Sequence, residues 1–356
     1  MHSLRNIFLF IALAFPALFY ITCTHEPTKP VEPPPPSIAD TTTHNWRFEI
    51  DTLGGKNSGA NDVIAFNEKD AWVTGNFYVY KDSTQTGSRT LYNIAHWDGV
   101  RWTLMMIPNP CKGEAGAIFG LDKNNIVFES YGLHVYDRIY EHAITIPPNT
   151  IKHGINAIWA INSQEFYMVG PEGEFLKWDG KLIGSFTTIN SNTDIDLTDI
   201  YGDNDTLFIC GITPAWDRSI MLKFSNGKLS EIDGEGFFQA FGIWYSVKDS
   251  GVLAVAGSKN RILRNGKWRE IDSSRQFKPY MQCVRGTGLN NIWWGGHFLS
   301  FIHYNGSTFK QIEQLYGNGI LTKIFVSDKY LFAVGYQVID KDGWPHGVVV
   351  RGYRVE

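Results

Sequence analysis

Residues 243–271 have the sequence IWYSVKDSGVLAVAGSKNRILRNGKWREI. They contain an apolar segment, a polar turn, a second apolar segment that ends in glycine, and a third segment that ends at Asn265-Gly266. Asn-Gly is a strong hairpin signal, because both central positions of the tight turn need a positive φ. A fourth short segment opens at Trp268. The pattern predicts four short strands joined by tight turns.

The same pattern recurs along the chain. A turn ends the third strand at Trp97-Asp98-Gly99, Trp178-Asp179-Gly180, Ser225-Asn226-Gly227, Arg264-Asn265-Gly266, Tyr304-Asn305-Gly306 and Val350-Arg351-Gly352. First strands are predicted at Ile64-Ala65-Phe66, Ile118-Phe119-Gly120, Ile158-Trp159-Ala160, Ile200-Tyr201-Gly202, Ile243-Trp244-Tyr245, Val284-Arg285-Gly286 and Ile324-Phe325-Val326. The turn glycines are 39 to 47 residues apart, except that the 81 residues between Gly99 and Gly180 leave room for one unit that lacks this turn. The first strands are 40 to 54 residues apart, and both sets indicate seven units.

Four antiparallel strands in about 40 residues are typical of one blade of a β-propeller. We therefore predict an all-β fold, a seven-bladed β-propeller over residues 46–356 with four-stranded antiparallel blades. The segment Trp46–Asp51 is similar to Trp268–Asp272, and the last unit has little room for its own outer strand. The N-terminal strand is thus expected to complete the last blade and close the ring. An open array or a sandwich would need this similarity to be coincidental.

Residues 46–356 resemble the bacterial secreted propellers of the broad WD-repeat, kelch and YVTN-like group. No named subfamily fits. Gly295-Gly296 stands where kelch repeats carry a glycine pair, but the Gly-His and Trp-Asp marks of WD repeats are absent as a set. The resemblance implies the fold and an exported location, and it implies no catalytic residue.

The N-terminus has the features of a secretory signal. Arg5 precedes an apolar run from Ile7 to Ile21, which Pro16 interrupts and which is short for a membrane-spanning helix. The run ends next to Cys23, as in bacterial lipoproteins, although Thr22 is an unusual residue before the lipidated cysteine. We predict a lipoprotein-type signal peptide over residues 1–22 and lipidation of Cys23. An ordinary signal peptide or an uncleaved anchor are the alternatives.

Residues 23–45 are predicted to form a disordered, proline-rich tether that follows the lipidated cysteine. Its prolines favour an extended polyproline spacer. They are Pro27, Pro30, Pro33, Pro34, Pro35 and Pro36. The thiols of Cys210 and Cys283 lie in apolar strands and are expected to be buried and unpaired, and Cys111 leaves an odd number. The protein is expected in the bacterial cell envelope, on the outer membrane or the cell surface.

Charge and motifs exclude several kinds of function. With 32 Lys and Arg against 36 Asp and Glu, the chain lacks the basic excess of a nucleic-acid-binding protein. It contains no nucleophile elbow, zinc-binding helix or phosphate-binding glycine loop. We therefore expect no cofactor and no metal. His96 and His303 occupy equivalent places in two units, where other units have lysine, and they are interpreted as an exposed framework position.

A run of acidic residues is the other pattern that resembles a metal site. It comprises Asp194, Asp196, Asp199, Asp203 and Asp205. Clustered carboxylates suit calcium, but two of these residues fall in a turn that is rich in Asp and Asn in most units. A turn-forming role is the preferred interpretation. The recurring Trp72, Trp159, Trp244 and Trp293 are interpreted as packing between blades.

Three units have long connections between their second and third strands, over residues 76–92, 212–218 and 336–347. Units 1 and 7 are neighbours if the ring closes, so their loops would form one aromatic and charged wall. Long loops on a rigid scaffold are where binding residues concentrate. The candidate binding residues are Phe77, Tyr78, Tyr80, Arg89, Trp216, Tyr336, Trp344 and His346. Loop decoration without a binding role is the alternative.

From these observations we predict a monomeric lipoprotein that binds a protein or a glycan through its loop rim and has no enzymatic role. The membrane would be contacted through the lipid anchor only, and nucleic acid is not expected as a partner. The alternative is a glycan-acting hydrolase, lyase or transferase with its site at the central funnel, which would need two carboxylates facing a pocket.

Overall fold

The computed structural model describes residues 41–355 apart from 83, 86, 108–112, 204, 236–238, 250, 272–279, 313–314, 316, 340 and 342. The predicted signal peptide, Cys23, Cys111 and most of the predicted tether lie outside the described residues. Among the residues that the structure describes, no helix has the length and apolarity that a membrane span requires.

The described strands form seven four-stranded antiparallel sheets, as the sequence predicts. The first strand of the chain is β1 (Trp46–Leu53). Blade 1 contains β2 (Gly59–Asn67), β3 (Asp70–Tyr80), β4 (Arg89–Trp97) and β5 (Trp102–Met105). Blade 2 contains β6 (Ile118–Asp122), β7 (Asn125–Glu129), β8 (Leu133–Tyr136) and β9 (Glu141–Ala143).

Blade 3 contains β10 (Ala157–Asn162), β11 (Glu165–Val169), β12 (Phe175–Trp178) and β13 (Phe186–Thr188), with a 3₁₀ helix at Pro171–Gly173. Blade 4 contains β14 (Asp196–Asp203), β15 (Thr206–Ile212), β16 (Ser219–Ser225) and β17 (Lys228–Glu231). Blade 5 contains β18 (Ala240–Ser246), β19 (Val252–Gly257), β20 (Arg261–Arg264) and β21 (Lys267–Glu270).

Blade 6 contains β22 (Met281–Gly288), β23 (Asn291–Gly296), β24 (Phe301–Tyr304) and β25 (Phe309–Ile312). Blade 7 contains β26 (Gly319–Val326), β27 (Tyr330–Val338) and β28 (Pro345–Arg354), and β1 supplies its outer strand. We call the side with the connections between blades and between second and third strands the loop face. The opposite side, with the other hairpin turns, is the turn face.

The N-terminal strand closes the ring, as predicted. β1 pairs with β28 in antiparallel register, from Trp46 opposite Arg354 to Leu53 opposite Gly347. Arg351 strengthens this closure, because its Nε donates to Asp51 Oδ2 at 2.5 Å and its guanidinium lies 4.0 Å from the ring centroid of Trp97 in blade 1. The pairing of β1 with β28, which we call the clasp, therefore connects the two ends of the propeller. Arg351 also links this last blade to blade 1.

The core is divided into clusters that each lie between two neighbouring blades. The cluster around Trp46, Trp293 and Leu321 joins blades 6 and 7, and the cluster around Val73, Phe77 and Val334 joins blades 7 and 1. Blades bury apolar faces against both neighbours, so a closed ring leaves no large apolar face in water. The tryptophans Trp72, Trp244 and Trp293 are buried in these interfaces, as the packing interpretation predicts. Trp159 is only partly buried and packs against the cluster between blades 3 and 4.

The recurring glycine at the end of the second strand has a steric cause. A β-bulge in the adjacent first strand brings a backbone carbonyl close to that glycine, and a Cβ atom at Gly335 would clash with the Ile320 oxygen. Gly75 stands against the Gly59 oxygen in the same way. Only glycine fits such a close approach of two backbones.

The predicted alignment of blade 1 is wrong by one residue. Asp62 pairs with Thr74, which precedes Gly75, and Ala157 pairs with Val169, which precedes Gly170. Val63, rather than Ile64, is therefore the equivalent of Ile158. The error arises because Val63 and Ile64 are both apolar and β-branched, so the sequence pattern fits either residue.

Residues 42–44 contact blade 6 ahead of β1. Thr42 Oγ1 donates to the Asn290 oxygen at 2.6 Å, and His44 Nδ1 lies 2.9 Å from His303 Nδ1. Residues ahead of the predicted boundary at Trp46 thus also contact the propeller.

Candidate functional site

The innermost strands of the blades line the central channel, and bulges place charged side chains there. In blades 1, 4 and 7 the pairing register shifts just before Asp62, Asp199 and Lys323, respectively. The corresponding residues in blades 5 and 6 are Gly242 and Cys283. A bulge redirects the side chain that follows it, so charged residues from distant parts of the chain occupy equivalent positions around the channel.

Asp199 is the centre of a buried ion-pair cluster across the channel. Its carboxylate accepts bidentate hydrogen bonds from Arg285, with Oδ2 to Nη1 at 2.7 Å and Oδ1 to Nη2 at 2.8 Å. Lys323 Nζ donates to Asp199 Oδ1 at 3.2 Å and to the Thr198 oxygen at 3.1 Å. The backbone N–H of Ile243 donates to Oδ2 at 3.0 Å. We call Asp199, Arg285 and Lys323 the central cluster.

The electrostatics keep the central cluster charged. Burial alone would raise the pKa of Asp199, but the charges of Arg285 and Lys323 outweigh it and lower the pKa to about 2. The pKa of Asp62, which is nearby, is shifted in the opposite direction. Burial raises its pKa, although Lys323 and hydrogen bonds from Ile118 and Val63 oppose the rise. Asp199 is thus a fixed counter-ion.

The cysteines beside the cluster are not nucleophiles. Cys210 and Cys283 are free and buried, as predicted. Burial raises the pKa of Cys210 strongly and that of Cys283 to about 12, so both remain thiols at neutral pH.

The channel has a cavity on each side of the central cluster. The cavity towards the turn face measures about 280 Å³ and is lined by apolar and aromatic residues of the innermost strands together with Asp62 and the central cluster. A second cavity of about 360 Å³ lies on the loop face, and Lys323 lines it as well. Lys323 therefore contributes to both sides of the channel.

Trp216 forms one wall of the loop-face cavity. It lies in the blade 4 loop with 55% of its surface exposed, and it packs edge-on against Phe241 with ring centroids 5.9 Å apart. Its backbone N–H donates to the Thr213 oxygen at 2.9 Å, and the Gln239 side-chain amide donates to the Trp216 oxygen at 3.2 Å. These bonds hold an exposed aromatic ring beside a cavity that polar and apolar residues line together.

The hairpins of blades 1 and 7 carry the other candidate rim residues. Tyr78 and Tyr80 are partly exposed, and the Arg89 guanidinium lies 3.9 Å from the ring centroid of Tyr78 and donates to the Tyr80 hydroxyl at 3.0 Å. Tyr336 and Trp344 of blade 7 are 36% and 47% exposed. The structure thus groups Tyr78, Tyr80 and Arg89 on one hairpin.

Two of the candidate residues are buried. Phe77 is fully buried and belongs to the core between blades 7 and 1, where it packs beside Gly347. His346 is 3% exposed. Because neither side chain is accessible, we do not include these two residues in the proposed rim surface. The binding role of the other six residues remains a prediction.

The interpretation of His96 and His303 as an exposed framework position is wrong. Each imidazole is stacked on the tryptophan opposite it in the second strand, with ring centroids 4.2 Å apart for Trp72–His96 and 4.1 Å for Trp293–His303. His303 is fully buried, and its pKa is lowered to about 2, mainly by burial. In blade 3 the same place holds Lys177, whose Nζ lies 5.4 Å from the Tyr167 ring. In all three blades, the side chain at this position of the third strand covers the aromatic ring opposite it in the second strand.

The acidic run does not form a metal site in the described part of the chain. No group of three or more His, Cys, Asp or Glu residues there has the geometry to hold a metal ion. Asp196 accepts from the Glu172 backbone N–H, and Asp194 pairs with Arg218 at 3.5 Å. Asp199 belongs to the central cluster, which is neither of the roles that the sequence suggested.

The central cluster is the feature that the sequence analysis missed. A signal was present, because Arg285 stands in the predicted first strand where all six other units have an aromatic or small residue. The pairing itself was not detectable, because its members come from blades 4, 6 and 7 and meet only when the ring closes.

No protein-family model and no curated protein matches the chain. Solved structures do share its fold. One is YCF48 bound to a D1 peptide, with a TM-score of 0.64 and 13% identity, over 90% of this chain and 100% of that one. Another is an inactive virginiamycin B lyase from Staphylococcus aureus with quinupristin, with a TM-score of 0.61 and 11% identity, over 87% of this chain and 100% of that one. At such identities the similarity shows the propeller fold alone.

Proposed function

We propose that this protein is an exported, lipid-anchored propeller that binds a segment of a partner protein on its loop face and has no enzymatic role. The observation that carries the proposal is the exposed Trp216, held in place beside a cavity of the same face that polar and apolar residues line together. Tryptophan and tyrosine provide much of the energy in protein interfaces.

Further residues on the loop face support the same function. The cavity beside Trp216 offers the ammonium of Lys323 and the side-chain amide of Gln282, together with Phe241. The Tyr78–Arg89 stack gives the blade 1 hairpin a flat, charged surface. An extended segment that lies across the face would find aromatic contacts with polar groups between them, a composition typical of interface cores.

A protein partner is preferred over a glycan. YCF48, which has the same fold, has been solved with a D1 peptide, and that example is the reason to test peptides first. A glycan remains the second ligand class, because the exposed Trp216 and Trp344 would also suit sugar stacking.

The cellular location is proposed from the sequence alone. A signal over residues 1–22 and a lipid on Cys23 would attach the propeller to the cell envelope through the proline-rich segment. Replacement of Cys23 by serine should move the full-length protein from the membrane fraction to the soluble fraction. Retention of the variant in the membrane fraction would contradict lipid anchoring at this residue.

The glycan-acting enzyme is favoured by one arrangement of carboxylates. A loop-face cavity of about 390 Å³ is lined by Asp62, Glu114, Glu129 and His153. Burial raises the pKa of Glu129, which is a property of general acids. If this cavity is catalytic, Glu129→Gln should abolish turnover of an envelope glycan that the unchanged protein cleaves.

The proposed function can be tested by isolating partners with the full-length protein and measuring their affinity for single variants. We expect Trp216→Ala and Trp344→Ala each to weaken binding by about tenfold or more, as is usual for buried aromatic contacts. Tyr80→Ala tests the blade 1 hairpin. Ile183→Ala, at a residue that is 86% exposed and outside the loop face, is the control. Equal affinity of all four variants would refute the rim site.

A further inference from the structure

The cavity on the turn-face side of the central cluster is not part of the proposed rim site. It occupies about 280 Å³ of the channel, and its wall is formed by partly exposed apolar and aromatic side chains of the innermost strands. These are Ile64, Phe66, Phe119, Trp159, Tyr201 and Phe325. Small-molecule sites are typically apolar cavities with a few polar groups that fix the orientation of the ligand.

Three aromatic rings form a continuous wall that leads to Arg285. The ring centroids of Phe119 and Trp159 are 5.4 Å apart, and those of Trp159 and Tyr201 are 4.4 Å apart. The Arg285 guanidinium lies 5.3 Å from the Tyr201 centroid. A flat apolar group against this wall would have a cation at its inner end.

Arg285 and Lys323 of the central cluster have more N–H donors than acceptors among the described residues. Arg285 uses Nη1 for Asp199 and the oxygens of Ile243 and Val284, and Nη2 for Asp199. A guanidinium has five N–H donors, so Nε–H and one Nη2–H have no acceptor among the described residues. Lys323 Nζ has two acceptors for three donors.

The balance of charge also favours an anion. Asp199 offsets one of the two cations. Asp62 is the other carboxylate in the cavity lining, and both of its oxygens already accept backbone N–H bonds, from Val63 at 2.8 Å and from Ile118 at 3.1 Å. Burial also raises the pKa of Asp62, which disfavours its charged form. A carboxylate ligand would supply acceptors for the remaining donors.

We propose that this cavity binds a small aromatic carboxylate. Its ring would pack between Phe119, Trp159 and Phe325, and its carboxylate would accept hydrogen bonds from Arg285 and Lys323. The size is suitable, because a cavity of about 150 Å³ already accommodates benzene in another protein. An aromatic ring with a nearby carboxylate is found both in a free aromatic acid and in the last residue of a peptide that ends in Phe, Tyr or Trp.

Calorimetry of the folded protein with benzoate, phenylacetate and indole-3-acetate tests the proposal. We expect at least one acid to bind saturably, and its amide to bind about tenfold or more weakly, because a charge-assisted hydrogen bond is lost. Two short peptides, one ending in a free Phe carboxylate and one in Phe amide, show whether the ligand is a free acid or a chain end.

Variants then locate the site. Lys323→Met should weaken binding of the acid by about tenfold or more, and Trp159→Leu should do the same without touching the ion pairs. Lys267→Met and Tyr140→Leu, at exposed residues away from the channel, are the matched controls. The melting temperature of each variant shows whether it is folded.

Three results would overturn the proposal: no acid binds, acid and amide bind equally, or Trp159→Leu binds like the unchanged protein. Of the two cavities, Trp159 lines the one towards the turn face and Trp216 the one on the loop face, so the result for Trp159→Leu is independent of the rim site, whereas Lys323 lines both. Loss of partner binding in Trp216→Ala with normal acid binding would separate the two.

Discussion

At the scale of single residues, the buried carboxylate of Asp199 has a hydrogen-bond partner for each of its oxygens. Asp199 is 1% exposed and makes hydrogen bonds to Arg285, to Lys323 and to one backbone N–H. A buried carboxylate is tolerated only with such partners. The cluster therefore gives the channel a defined arrangement, whatever its net contribution to stability.

Asp199→Asn should destabilise the protein strongly. The change leaves two buried cations without their counter-ion, and removal of one partner of a buried ion pair typically costs about 3–5 kcal/mol. The free energy of unfolding from denaturant titration measures this effect. Asp194→Asn, at a residue whose side chain is 81% exposed, should change it by less than about 0.5 kcal/mol. A loss below about 1 kcal/mol in Asp199→Asn would contradict the role of the cluster.

His303 should make the protein less stable in acid. Its pKa is lowered from the ordinary 6.5 to about 2 in the folded protein, chiefly because the imidazole is buried. The unfolded chain takes up this proton below pH 6.5 and the folded one does not. The contribution of His303 is therefore fully present above pH 6.5 and is lost progressively as the pH falls towards 2.

In His303→Phe, the proton that the imidazole takes up on unfolding is absent, and the phenyl ring can still stack on Trp293. Between pH 6 and pH 4 the free energy of unfolding of the unchanged protein should fall more steeply than that of the variant, by about 1.4 kcal/mol per pH unit. Denaturant titrations at several pH values measure both slopes. Parallel slopes would show that His303 is protonated in the folded protein.

At the scale of strands and hairpins, the contact between first and second strands is set by bulges and glycines. Gly335→Ala should cost about 1–3 kcal/mol, because the new methyl group would clash with the Ile320 backbone in a packed interface. Gly288→Ala is the control, since a Cβ there would make an ordinary contact of 3.4 Å with Asn290. Equal melting temperatures of the two variants would contradict the steric explanation.

Much of the element-level structure could be predicted from local patterns. The Asn-Gly turns and the closing glycines identified the hairpins, and the similarity of Trp46–Asp51 to Trp268–Asp272 predicted the clasp that β1 forms. The first strand of blade 1 was placed one residue late, because Val63 and Ile64 are both apolar and β-branched and the sequence pattern fits either of them. Only the pairing of Asp62 with Thr74 in the folded blade distinguishes the two alignments.

The candidate sites were less predictable than the fold. The exposed Trp216 and Trp344 followed from loop length, which is a local property. Phe77 lies in a longer hairpin than either tryptophan but is buried, because the hairpin of blade 7 packs against it. Burial of this kind depends on which blades become neighbours and on how their loops meet, and neither is encoded in a single repeat.

At the scale of the whole molecule, the ring separates two surfaces with different chemistry. The loop face carries the long hairpins and Trp216, while the turn-face cavity carries an aromatic wall with cations at its inner end. The central cluster lies between them, and Lys323 lines the cavities on both sides. The proposed partner protein and the proposed small carboxylate would therefore occupy opposite sides of one channel.

The most direct test of the loop-face proposal is photo-crosslinking in the producing cell. A photoreactive phenylalanine analogue is introduced singly at Trp216 and Trp344 on the loop face, and at Tyr140 and Ile183 as matched exposed positions elsewhere. The account predicts the same specific protein adduct at both loop-face positions and none at the other two. Adducts at Tyr140 or Ile183, with none at Trp216 and Trp344, would contradict it.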